Sequence, residues 1–324
     1  MKKLSMVLLA GTAAFFIGCG SGSSDSTTVS TTSDTFSSTS SAPAEPTISN
    51  AKEVGEAVVA NDPTTSAITV NPVGLNSVTQ NKLNPTQVSL MLLSNFKTQD
   101  FPLNDSVPIT EQCPNGGSVT ISGPGYIREG DVFLDYDNCK IIDTTINGKI
   151  EMISTNCDGF CGCNNVDIKY ITDLTIQSST LPTVTIKNGS ETDMAYAYDE
   201  DTCIANSVGI TETAFYSVDD QNFGVEGLNI IMLTDYHTYT TSWYYRSGKI
   251  YIDNLTKYVT VDPSYDMRQT PFVSSNLHGL TSGQAVFDMS DGAKTIIKAD
   301  DGTITVELDT NGDGQIDEST TLEE

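Results

Sequence analysis

The sequence predicts a mainly β protein: an antiparallel β-meander sheet or sandwich, with short N-terminal helices and disulfides. Three observations predict this fold class. Beyond about residue 116, short segments alternate apolar and polar residues, as strands with one buried face do. Asn-Gly and Asp-Gly pairs, which suit tight hairpin turns, separate several of these segments, as at Asn147-Gly148 and Asp301-Gly302. The connections are too short for most crossover helices, so neighbouring strands should run antiparallel.

The net charge and the small number of histidines argue against several classes of function. Among 324 residues, 42 are acidic and 16 are basic, which gives a formal net charge of −26. A nucleic-acid-binding protein neutralises phosphates with Lys and Arg, so this balance predicts no nucleic-acid partner. It also argues against docking to an anionic membrane surface. The two histidines leave little room for histidine-based metal or acid/base chemistry.

The N-terminus reads as an export signal. Two lysines precede an apolar stretch, Leu4 to Ile17, which ends in a small residue, Gly18. Residues 1–18 are therefore predicted to be a secretory signal peptide and take no part in the fold.

The run Phe16-Ile17-Gly18-Cys19 resembles the lipobox of bacterial lipoproteins, although Leu is usual where Phe16 stands. The resemblance implies that the leader is cut before Cys19, that this cysteine carries lipid, and that the lipid anchors the protein in the cell envelope. The residue after Cys19 is Gly20 and not the Asp of inner-membrane retention, which favours the outer membrane without indicating the leaflet. The alternative is an ordinary signal peptide followed by an incidental cysteine.

Residues 19–46 are predicted to be a lipidated, disordered linker. Sixteen of the 22 residues from Gly20 to Ser41 are Ser or Thr, and such a segment cannot bury apolar surface. Residues 47–100 are predicted to be a short helical segment with helices over 49–60 and 85–96. Asn50 is expected to cap the first of these helices.

Residues 101–324 form the predicted antiparallel β domain. An even number of cysteines in an exported chain predicts disulfides, and the six here are Cys113, Cys139, Cys157, Cys161, Cys163 and Cys203. Cys113 and Cys139 flank a predicted hairpin and should pair. Among the other four, Cys203 should take Cys161 or Cys163, and Cys157 the remaining one. A four-thiolate zinc site is the alternative, although C-x3-C-x-C is not a common zinc spacing.

One sequence motif predicts a metal-binding site. Residues 309–317 read Asp-Thr-Asn-Gly-Asp-Gly-Gln-Ile-Asp and resemble the calcium loops of EF-hands, dockerins and thrombospondin-type repeats. The resemblance implies calcium as a structural cofactor, and it implies five ligands: the side chains of Asp309, Asn311, Asp313 and Asp317, and the backbone carbonyl of Gln315. Ile316 should anchor the loop in the core.

The loop departs from the EF-hand pattern in two respects. Thr320 stands where an EF-hand has its bidentate Glu, and the flanking segments predict strands in place of helices. We therefore expect weak calcium affinity, on the order of 10⁻⁴–10⁻³ M, and a structural role that locks the last hairpin. The alternative is an Asx- and Gly-rich hairpin turn that binds no ion.

An aromatic row, Tyr239, Trp243 and Tyr245, alternates along one predicted strand and suggests a face on which sugars stack. The alternative is a girdle that covers a sheet face. No nucleophile elbow, zinc-protease, Walker or Rossmann pattern is present, so we assign no catalytic residue and expect no enzyme.

The sequence as a whole predicts a lipid-anchored envelope lipoprotein with a non-catalytic structural or interaction role. Its expected partners are the membrane, through the lipid anchor, and a glycan or another envelope protein. A carbohydrate- or surface-binding adhesin is the alternative, and a glycan-cleaving enzyme with paired carboxylates is less favoured.

Overall fold

The computed structural model describes ten ranges of the chain: 41–60, 108–123, 130–141, 144–158, 162–178, 183–198, 205–218, 221–235, 240–275 and 279–322. The predicted signal peptide, Cys19, most of the linker and the predicted helix over 85–96 lie outside these described residues.

Within the described ranges the chain forms one α-helix, α1 (Ile48–Ala60), and eighteen strands. The strands are β1 (Ala42–Pro43), β2 (Ile109–Gln112), β3 (Ser118–Ser122), β4 (Gly130–Ile141), β5 (Thr144–Asp158), β6 (Gly162–Tyr170), β7 (Leu174–Ser178), β8 (Val184–Ile186), β9 (Glu191–Tyr198), β10 (Ala205–Val218), β11 (Gln221–Asp235), β12 (Thr240–Ile252), β13 (Lys257–Val261), β14 (Phe272–Ser275), β15 (Gly279–Asp288), β16 (Lys294–Asp300), β17 (Thr303–Asp309) and β18 (Glu318–Leu322). The predicted mainly β class is confirmed.

The strands belong to one connected sheet that follows chain order. In three runs, each strand pairs antiparallel with the next one along the chain: β2 through β5, β10 through β12, and β15 through β18. Between these runs, shorter strands lie end to end: β6 and β7 along β5, β9 and β8 along β10, and β13 and β14 along β12. Only β1, beside β13, pairs in parallel among the described strands. Of the two predicted arrangements, the antiparallel meander sheet is the one observed.

The core lies on one face of this sheet, where buried and half-buried residues alternate along the strands. Helix α1 covers part of that face with Ala51, Val54 and Val58, which are all fully buried. At Gly55 the helix approaches the sheet closely, since a Cβ atom there would lie 2.7 Å from Cγ2 of Val306. The helix therefore packs tightly on the C-terminal strands.

Helix α1 begins one residue earlier than predicted, and Thr47 caps it in place of Asn50. The Thr47 Oγ1 atom accepts a hydrogen bond from the Asn50 backbone N–H at 3.2 Å. The Asn50 side chain is buried and donates to the Glu45 carbonyl oxygen at 2.8 Å. A buried amide needs such a partner, which explains why Asn50 lies inside the helix and does not begin it.

Strand β1 lies within the predicted linker. Ala42 and Pro43 form β1, the Ala44 N–H donates to the Tyr258 carbonyl at 2.8 Å, and Ala44 is fully buried. The prediction of a linker over 19–46 is therefore wrong for residues 42–46. Ala44 is a small apolar residue whose backbone pairs with β13, which offsets the entropy of ordering this segment.

The predicted Cys113–Cys139 disulfide is confirmed, with the two Cα atoms 5.4 Å apart. Cys157 is also disulfide-bonded. Its side chain therefore offers no thiolate, which disfavours a zinc site that includes Cys157. Cys161, Cys203 and the Cys163 side chain lie outside the described residues, so the pairing of these cysteines stays a prediction. No helix in the described ranges has the length and apolarity needed to cross a membrane.

Candidate functional site

The predicted calcium loop, residues 309–317, joins β17 to β18 and turns through two glycines with positive φ. Gly312 has a φ of 72° and Gly314 has a φ of 86°, a region that favours glycine. Gly312 also lets the loop pack against the turn Ser290–Gly292, because a Cβ atom there would lie 2.3 Å from the Gly292 carbonyl oxygen. The glycines therefore set both the path of the loop and its contact with the rest of the sheet.

Asp309 is the centre of the loop. Its side chain is only 2% exposed although it ends a strand on the half-buried face. Its Oδ1 atom accepts a hydrogen bond from the Gly312 N–H at 2.7 Å, and the Asn311 and Asp313 N–H groups approach the same oxygen at 3.3 Å. Its Oδ2 atom accepts from the Gly314 N–H at 2.8 Å. The loop backbone is thus wound around one carboxylate.

The other polar side chains follow the alternation that the motif predicts. Asn311 Oδ1 accepts from the Asp313 N–H at 2.9 Å, and Asp313 Oδ1 accepts from the Gln315 N–H at 2.8 Å. Each side-chain oxygen thereby orients the backbone two residues ahead, as in successive Asx turns. The structure brings Asp309, Asn311 and Asp313 into one hydrogen-bonded series.

Asp317 makes contacts within the loop that the motif did not predict. Its Oδ2 atom accepts from the Thr310 backbone N–H at 2.8 Å and from the Thr310 hydroxyl. These hydrogen bonds lower the pKa of Asp317 and tie the end of the loop to its beginning. No pattern in the sequence marks Thr310, because a threonine between two expected ligands carries no signal of its own.

The donor set fits a hard cation only in part. Carboxylate and amide oxygens keep lone pairs beyond those used by the backbone, and calcium prefers six to eight such oxygens. Asp309, Asn311, Asp313 and the Gln315 carbonyl could hold the ion. Across the described residues, however, no three His, Cys, Asp or Glu side chains form a group that could hold a metal. A calcium ion in this loop would therefore also need the amide oxygen of Asn311 and the carbonyl oxygen of Gln315.

The prediction that Ile316 anchors the loop in the core is wrong. Its side chain is 42% exposed, and the whole stretch 311–319 is exposed. The reason is that the hydrogen bonds of Asp309 hold the loop, so no apolar anchor is required.

Lys294 lies directly across from Asp309 on the neighbouring strand β16. Its ammonium nevertheless pairs with the buried Asp262 and, at 3.5 Å, with Asp288. Burial raises the pKa of Asp262, but hydrogen bonds from Lys294 and Ser264 outweigh burial and leave it below its ordinary value. Lys294 thus pairs with Asp262 and Asp288, whereas the Asp309 carboxylate accepts hydrogen bonds from backbone N–H groups.

The predicted sugar-stacking role of Trp243 and Tyr245 is wrong. Trp243 is 0% and Tyr245 is 2% exposed, and their rings meet edge to face with centroids 5.3 Å apart. Trp243 also packs on Phe272 at 4.7 Å. Because these rings lie in the core, they offer no face to a sugar. Tyr239 lies outside the described residues.

A pair of acidic side chains that the sequence analysis missed lies on the opposite face of the sheet. Asp167 and Asp193 stand directly across from each other on β6 and β9. Partial burial, the charges of Glu191 and Asp167 and a hydrogen bond with Asp167 raise the pKa of Asp193 from 3.8 to about 6. Only the register of two strands brings these residues together, so no local sequence pattern marks them.

Replacing Asp193 with asparagine should stabilise the protein at pH 8 and leave its stability at pH 4 nearly unchanged. The pKa of Asp193 is higher in the folded protein, so the carboxyl lowers the free energy of unfolding as pH rises towards about 6. Asparagine cannot ionise, so the free energy of unfolding of the variant does not fall with pH in this way. We expect a gain of about 1 kcal/mol in urea unfolding, since the group is partly exposed. Glu111→Gln, at an exposed site, is the control. An equal gain at both pH values would contradict the explanation.

No protein-family model matches the chain, and no curated protein matches its sequence. We therefore infer the function from the motif and from the geometry of its side chains.

Proposed function

We propose that this protein is a lipid-anchored lipoprotein of the cell envelope with a non-catalytic structural or interaction role, and that its C-terminal loop binds calcium as a structural ion. The observation that carries the calcium assignment is the arrangement around Asp309. A nearly buried carboxylate at the first motif position collects the N–H groups of the four residues 311–314. That arrangement orients the next two oxygen-bearing side chains before any ion arrives.

A calcium ion would supply the positive charge that the loop lacks. Five carboxylates lie between residues 307 and 318. Glu307 pairs with Lys298 at 2.6 Å, and the other four repel one another at neutral pH. Asp309, Asn311, Asp313 and the Gln315 carbonyl would hold the ion, and Asp317 would keep the loop closed through Thr310. The ion would thereby stabilise the β17–β18 hairpin, on which α1 also packs.

Calcium titration of the full chain with Cys19→Ser, which cannot be acylated, tests this site. At about 10 mM calcium and the expected affinity, we predict roughly 2 kcal/mol of stabilisation and a rise of about 4 °C in Tm. The double variant Asp309→Ala with Asp313→Ala should lose the calorimetric heat and the Tm shift.

Asp300→Ala is the matched control, because it removes an exposed carboxylate that lies outside the loop. This variant should keep the full calcium response. If calcium gives no heat and no Tm shift with the parent chain, the loop is a hairpin turn that binds no calcium.

The lipid anchor has its own experiment. The wild-type protein should sediment with membranes and incorporate a labelled fatty acid, and Cys19→Ser should abolish both. The control Ser21→Ala keeps the cysteine and should behave as wild type. A wild-type protein that is exported, soluble and free of lipid would show that residues 1–18 are an ordinary signal peptide.

Within the described residues, nothing specific favours the adhesin or the glycan-cleaving alternative. The buried positions of Trp243 and Tyr245 remove the observation that suggested glycan binding.

A further inference from the structure

The register of the sheet places strand β1, near the start of the described residues, and the proposed calcium loop at the same end. Thr260, Asp288, Lys294 and Asp309 form one row across β13, β15, β16 and β17. Beyond this row, β13 extends back to Lys257, and β17 extends into the loop. Ala42 lies beside Lys257. We call this end, made of residues 42–44, 253–256, 290–292 and 310–317, the tether end.

Direct contacts join the parts of the tether end. The Ser290 N–H donates to the Ala44 carbonyl at 2.9 Å. The same turn, Ser290–Gly292, supports the loop at Gly312. The Ala42 N–H donates to the Thr256 carbonyl at 3.1 Å in the adjacent turn. The point where the linker joins the domain is therefore one turn away from the calcium loop.

The tether end presents an apolar side chain to solvent. Among the described residues, the exposed large hydrophobic side chains are Ile316 and Leu233, each 42% exposed. Ile316 lies in the calcium loop, and Leu233 lies near the opposite end of the sheet, two residues before β11 ends at Asp235. The two side chains thus have the same exposure at opposite ends of one sheet.

We propose that the tether end docks on the anionic lipid surface of the membrane that holds Cys19, with Ile316 in the interface and calcium between the loop carboxylates and the lipid phosphates. This inference rests on the proposed lipid anchor and calcium site. If residues 20–41 form the flexible chain that their composition predicts, these 22 residues would span about 26 Å. A strand of 15 residues, such as β5, is about 50 Å long. The tether end therefore lies closer to the membrane than the far end.

The charges of this end explain why docking requires calcium. Asp313, Asp317 and Glu318 are exposed around Ile316, and the whole chain carries a charge of −26, so an anionic surface repels the bare loop. Lys257 lies at the same end, but its ammonium pairs with Glu45 at 3.0 Å and Asp253 at 3.4 Å. A bound calcium ion adds two positive charges at this end and can bridge a loop carboxylate to a lipid phosphate, while Ile316 adds apolar contact with the interface.

Tryptophan quenching in vesicles tests the docking. The acylated full chain is placed in phosphatidylglycerol–phosphatidylethanolamine vesicles that contain lipids brominated near the headgroup. Ile316→Trp and Leu233→Trp are compared, and the one native tryptophan, Trp243, is fully buried and contributes equally to both. With calcium, we expect Ile316→Trp emission to be quenched at least twofold more than Leu233→Trp emission. A chelator should remove the difference.

Two parallel measurements separate this inference from the proposed function. Calorimetry on the same variants reports calcium binding, and flotation with the vesicles reports the lipid anchor. If calcium binds and the chain floats, but the two variants are quenched equally, docking is overturned and the proposed function stands. If calcium gives no heat, or the chain does not float, the proposed function fails and docking fails with it. Selective quenching that persists with chelator would overturn the role of calcium.

Discussion

Replacing Cys113 and Cys139 together with alanine should lower the free energy of unfolding by about 3 kcal/mol. The disulfide closes a segment with a sequence separation of 26 residues and links the end of β2 to β4. Without it the unfolded chain gains conformational freedom, and the short strand β2 keeps only its pairing with β3 among the described strands. Urea unfolding at neutral pH under non-reducing conditions measures the change.

The single variants provide the control for the disulfide. Cys113→Ala and Cys139→Ala should each lose nearly as much stability as the double variant, since either removes the same cross-link. Both side chains are buried, with Cys139 1% exposed and Cys113 8% exposed. If the stability losses of the two single variants add up to the loss of the double variant, side-chain packing dominates over the cross-link.

Lys294→Met should lower the free energy of unfolding by about 3 kcal/mol at pH 7. Its ammonium pairs with Asp262, whose side chain is 4% exposed, and the variant leaves that carboxylate buried without its cation. The pKa of Asp262 lies below its ordinary value in the folded protein, so this stabilisation is present at neutral pH. It is lost as pH falls through the folded pKa, and the variant should approach wild type in urea unfolding near pH 2.

Lys187→Met is the control, since its ammonium pairs with Asp173 at 3.0 Å and both side chains are more than a third exposed. We expect this variant to cost less than about 1 kcal/mol. Adding Asp262→Asn to Lys294→Met should recover part of the loss by removing the unpaired charge. If the double variant is no more stable than Lys294→Met, the explanation through a buried charge is wrong.

The local signals in the sequence predicted the secondary structure well. Alternating segments and Asn-Gly or Asp-Gly turns, such as Asp301-Gly302, mark strands because both act within a few residues. Two cysteines on either side of one predicted hairpin were enough to predict the Cys113–Cys139 bond. The motif spacing also predicted that Asp309, Asn311 and Asp313 act together, since a tight loop turns alternate side chains the same way.

Longer-range features were predicted poorly for a physical reason. Period-two alternation shows that Trp243 and Tyr245 share a face, but contacts with Phe272 and Phe287 on other strands place that face in the core. The exposure of Ile316 follows from the hydrogen bonds that hold the loop to Asp309.

The sequence by itself determined the class of the fold, the confirmed disulfide and the motif that suggests calcium, because each depends on residues that are close along the chain or on the number of cysteines. Only the tertiary structure decided which residues meet across strands. The Asp167–Asp193 pair, the Lys294–Asp262 ion pair and the common end that Ala42 shares with the loop 309–317 all come from strand register. Register depends on how distant segments bury their apolar faces together. A shift by one residue would move every side chain of a strand to the opposite face of the sheet.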